Sequence, residues 1–113
     1  MPILFDEMGS QLNSAGLVSL TSPALVTAGT IATAGLGVSR VTPAAAVTAI
    51  VLQRGTINGQ RVTVTNEGLA ASTITFDVAA NSNVADGVTS VIPGLRSSTF
   101  TWVQSTLLWT RTA

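Results

Sequence analysis

The 113-residue sequence has no cysteine and no histidine, and all of its cationic side chains are arginine. Without cysteine, neither a disulfide framework nor a thiolate metal site can form. Without histidine, the chain lacks the commonest metal ligand, the commonest general base and the side chain that changes charge near neutrality. Serine is abundant, but with neither histidine nor lysine to take its proton no serine nucleophile can be activated in the familiar way. These absences point away from an enzyme, and no metal or other cofactor is expected.

Charge is almost as scarce: five arginines face five acids, and charged residues make up 9% of the chain. A nucleic-acid binder needs a basic stripe to neutralise phosphates, and five scattered arginines do not supply one. The same scarcity argues against an anionic membrane surface as partner. No long apolar run is present either. The stretch from Met8 to Ser39 is free of charge, but Pro23, several glycines and many serines and threonines interrupt it, so it does not read as a membrane span. Asp6 and Glu7 precede Arg40, the first cation, which is the reverse of a signal peptide. The expectation is a soluble chain made in the cytoplasm, wetted by Thr, Ser, Asn and Gln, and suited to packing against copies of itself. A single small domain without disulfide or metal often gains stability by that route.

What is present is strand pattern. Val47–Gln53 is a short apolar run, and Gln60–Asn66 alternates with Val62 and Val64 on one face and Thr63 and Thr65 on the other. Between them, Asn58–Gly59 is a hairpin dipeptide. Ser72–Val78 alternates again, grouping Ile74, Phe76 and Val78, and a polar loop over Asn81–Gly87 follows. Val88–Ile92 is a further strand, closed by the turn pair Pro93–Gly94. Ser98–Val103 and Thr106–Thr110 form a last hairpin. Short strands spaced about ten residues apart indicate a sandwich or barrel. The first half is poorer in large side chains. Pro2–Leu12 is partly compatible with a short helix, and Gly16–Leu20 and Leu25–Val38 are rich in Ala, Thr, Val and Gly. The expected organisation is therefore an N-terminal arm over residues 1–46, docking on or exchanging strands with neighbouring subunits, and an antiparallel domain over 47–113.

Among candidate sites, Asp6 and Glu7 are adjacent and would point apart in extended chain, and Asp86 before a glycine is explained by turn chemistry. Seventeen threonines, several as Thr-x-Thr, raise the idea of an ice-binding array, but such an array needs stacked coils of fixed length, and no repeat is visible. Phe100, Trp102 and Trp109 are expected at the core or a subunit interface, with a sugar-stacking platform as the alternative use. Arg54 and Arg61 flank Asn58–Gly59, which makes that turn the candidate exposed contact site.

The run Gly55-Thr56-Ile57-Asn58-Gly59-Gln60-Arg61-Val62-Thr63-Val64-Thr65-Asn66 is similar to a segment of small β domains in tailed-phage virion proteins. Thr73-Ile74-Thr75-Phe76, the loop Asn83-Val84-Ala85-Asp86-Gly87, and Phe100-Thr101-Trp102 with Leu108-Trp109 resemble the same domains. These domains occur in head fibres, decoration proteins and tail-fibre bases. The likeness covers residues 47–113 and implies a β-sandwich or jelly-roll-like domain, trimeric on the virion surface, with the major capsid protein or another virion component as partner. The expected function is that of a virion structural protein, a decoration or head-fibre/spike-base component. The alternative is a carbohydrate- or receptor-binding module of a phage fibre.

Overall fold

Over residues 61–66, 74–76 and 97–103, where apolar and polar residues alternate, the backbone is extended and the apolar set faces inward. The computed structural model describes residues 17–18 and 21–112, so the helix expected within Pro2–Leu12 and the acids Asp6 and Glu7 lie outside the described residues. The strands are β1 (Leu17–Val18), β2 (Ala24–Leu25), β3 (Thr30–Ile31), β4 (Leu36–Pro43), β5 (Val47–Leu52), β6 (Arg61–Asn66), β7 (Ile74–Phe76), β8 (Val91–Ile92), β9 (Ser97–Val103) and β10 (Leu108–Arg111). Helix among the described residues amounts to one turn, α1 (Ala79–Ser82), and a short 3-10 turn over Gly87–Thr89. The protein is all-β.

Two mixed sheets share these strands. The first runs β1-β4-β6-β9-β10, with β2 also paired to β4, and the second runs β3-β5-β7-β8. The expectation of an antiparallel fold is corrected by the register. β1 and β2 pair parallel to β4, β4 to β6, β3 to β5 and β5 to β7. Antiparallel pairing is confined to β8, β9 and β10. From β2 to β7 the chain passes alternately between the sheets, laying each turn parallel on the one before. The segment around Asn58–Gly59 is accordingly no hairpin, because β5 and β6 lie in different sheets. The division expected at residue 46 falls in the turn between β4 and β5, and strands on both sides of it share the same two sheets.

The core lies between the sheets. Val62, Val64, Phe100, Trp102 and Trp109 enter it from the first sheet, and Ile50, Leu52, Ile74, Phe76 and Ile92 from the second. Each such side chain contributes about 1.5–3 kcal/mol by leaving water. Phe76 and Phe100 meet edge to face with centroids 5.5 Å apart, and so do Trp102 and Trp109 at 5.3 Å. In β5 the strict alternation breaks. Ala49 takes a positive φ of 56°, a bulge that turns both Val47 and Ile50 inward. Val78 and Val88, expected on strands, instead flank α1 and sit in the 3-10 turn, and both are exposed.

The sheets are joined by polar side chains as well as apolar ones. Asn66, fully buried at the end of β6, donates from Nδ2 to Ser72 O (2.8 Å) and to Ile92 O in β8 (3.1 Å). Its Oδ1 accepts from Gly68 N at 2.9 Å. At the opposite end of the β6 face, the β10 edge is closed by backbone bonds from Trp109 N to Asn83 O and from Ala85 N to Trp109 O.

Candidate functional site

A groove of about 850 Å³ lies on the outer side of the first sheet. One wall is the turn that enters β4, Gly35–Gly37, and the other is the connection from β5 to β6, residues 56–61. Thr63 of β6 and Thr99 of β9 form its floor, with their hydroxyls 3.0 Å apart.

The 56–61 wall owes its shape to its sequence. Gln60 N donates to Ile57 O, closing a tight turn in which Gly59 takes φ +87°, a backbone state that glycine adopts without penalty. Gly59 N donates to Trp102 O and Trp102 N to Gln60 O, which fastens the turn to β9. Asn58 Oδ1 accepts from Gln104 N at 2.9 Å, and Gln60 Oε1 accepts from Thr56 N at 2.8 Å. The turn is thus held at both ends. Of the four residues singled out as a contact turn, Asn58, Gly59 and Arg61 line the groove, whereas Arg54 is exposed outside it.

The aromatic residues are placed elsewhere. Phe100, Trp102 and Trp109 are each no more than 1% exposed and belong to the core. A Cβ on Gly55 would lie 2.4 Å from Trp102 Cγ, so the backbone covers that indole. Trp102 Nε1 donates to Gln104 Oε1 and Trp109 Nε1 to Gln53 O. Neither ring offers a face on which a sugar can stack.

The described acids, Glu67, Asp77 and Asp86, form no cluster. Asp77 accepts from Val78 N and from Asn81 Nδ2 at the start of α1. Among the described residues, no three Asp, Glu, His or Cys side chains gather as a metal cluster, and no helix is long and apolar enough to cross a membrane. Glu67 forms a two-pronged ion pair with Arg40 of β4, Nε to Oε2 at 2.8 Å and Nη2 to Oε1 at 3.2 Å. Hydrogen bonds from Arg40 and then Ser22 hold the Glu67 carboxyl below its usual range. A depressed folded value stabilises the native state above the unfolded carboxyl's pKa of about 4.3, and the effect is lost as pH falls through the folded value. In urea titrations, the midpoint difference between the wild type and Glu67→Gln is therefore expected to be constant above about pH 5 and to shrink below it. The pair is about one-third exposed, so the difference is small.

The sequence pointed to the Asn58–Gly59 turn and Arg61 but not to their partners in the groove. Gly35–Gly37 and Thr99 come from distant segments, and no local pattern links them to residues 56–61. Comparison of the chain with protein-family models, with curated proteins and with solved structures finds no match.

Proposed function

We propose that this chain is a virion structural protein, a decoration or head-fibre/spike-base component that assembles as a homotrimer on the capsid or tail and catalyses no reaction. Its domain is of the β-sandwich type, and its partners are copies of itself and the major capsid protein or another virion component. The observation that carries this reading is an exposed apolar end. Leu69 is 77% exposed and Leu95 67%, on turns that adjoin so closely that a Cβ on Gly94 would lie 1.8 Å from Leu69 O. Two large leucines on neighbouring turns of a chain with so little charge suit a face covered in an assembly. The resemblance of residues 47–113 to tailed-phage domains gives that assembly its identity.

An antibody raised against the purified chain tests the location. It is expected to label the surface of intact particles whose genome encodes the protein. Finding the chain in lysates but not on purified particles would contradict the proposal.

A further inference from the structure

We propose that the groove between residues 35–37 and 56–61 binds a carboxylate-bearing saccharide. This inference rests neither on the tryptophans nor on assembly into a virion.

Its basis is the set of hydrogen-bonding atoms that the fold leaves unspent. Asn58 uses Oδ1 to accept from Gln104 N, and Gln60 uses Oε1 to accept from Thr56 N and, at 3.3 Å, from Thr56 Oγ1. Each amide is thereby oriented with its acceptor turned to the protein. Asn58 Nδ2 and Gln60 Nε2 are left as donors with no partner among the described residues. Arg61 adds an exposed guanidinium that has no carboxylate partner among the described residues. Among the described residues, no acid lines the groove. The site is a fixed array of donors around one cation, so it selects a ligand rich in acceptors and negatively charged, with a carboxylate meeting the planar guanidinium.

The remaining walls favour a sugar over a peptide. The paired hydroxyls of Thr63 and Thr99 can exchange bonds with ligand hydroxyls, while Leu36 and Ile57 offer apolar surface to the C–H face of a ring. A volume of about 850 Å³ far exceeds a lone anion and lies within the range of small-ligand sites, about 300–1,000 Å³. An extended peptide would need an open strand edge. β4 is paired with β1 at Leu36 and with β6 from Val38 onward, so only Leu36 and Gly37 border the groove on the β6 side, too short an edge for an added strand.

The test is a titration of the isotopically labelled chain, followed by NMR, with three acidic oligosaccharides (sialyl-, glucuronyl- and galacturonyl-terminated) and their neutral counterparts. At least one acidic member is expected to shift the side-chain amide signals of Asn58 and Gln60 and to bind roughly tenfold or more tightly than its neutral counterpart. Arg61→Gln, at an exposed position, is expected to abolish that preference while keeping the folded spectrum. The proposal is overturned if no acidic member binds more tightly than its counterpart, or if Arg61→Gln leaves the preference intact. It is equally overturned if hexaglutamate binds the groove as tightly as the best saccharide.

Discussion

Asn66→Asp, a change of one atom in the side chain, is expected to destabilise the protein by more than about 4 kcal/mol, a large part of the total for a domain of this size. The buried Nδ2 that donates to Ser72 O and Ile92 O is replaced by an oxygen that faces both carbonyls. Only the bond from Gly68 N remains. Two carbonyls lose their donor, and the new carboxyl can approach them only by taking up a proton. Burial raises its folded pKa above the unfolded value of about 3.9, so the penalty is smallest below that pH and grows above it. Urea midpoints for the wild type and variant between pH 3 and 7 check both the size and the sign. A variant that lost little stability at pH 7 would mean that Asn66 does not bridge β6 to β8.

Trp109→Ala has the second large expected effect, about 3–5 kcal/mol. The indole is fully buried, packs edge to face on Trp102 and donates to Gln53 O. Its removal leaves a cavity at the point where β10 closes the end of the molecule, and Gln53 O keeps only the donor from Thr33 Oγ1. Trp109→Phe refills most of the volume and is expected to lose less, with about 1 kcal/mol of the loss arising from the missing hydrogen bond. Thermal unfolding of the two variants measures the difference. Because Trp109→Ala acts on folding, it is unsuitable as a probe of saccharide binding. Arg61→Gln, on the exposed turn, separates the two.

Much of the second half was legible because its strands obey a period of two against a single core. Val62 and Val64 in β6, Ile74 and Phe76 in β7, and Phe100 and Trp102 in β9 all face inward as their alternation requires. The β9–β10 hairpin could be read for the same reason. The parallel winding was hidden. Its successive turns are of unequal length, with Ala24 opposite Thr42, Val38 opposite Thr63 and Val47 opposite Ile74, so no repeat marks it. β2 and β3 have two residues each, too few for any periodicity to emerge. The dipeptide Asn58–Gly59 does form a turn, but whether a turn joins paired strands or crosses between sheets depends on long-range packing. Threonines on β6 and β9 do lie side by side, as Thr63–Thr99 and as Thr65 with Ser97, on the outer face of the first sheet.

The central claim, that this β domain works by assembling with copies of itself, is tested most directly by its native mass from light scattering after size exclusion, across a concentration series. Three times the chain mass, persisting on dilution, is the predicted result. The mass of a single chain at every concentration would contradict it.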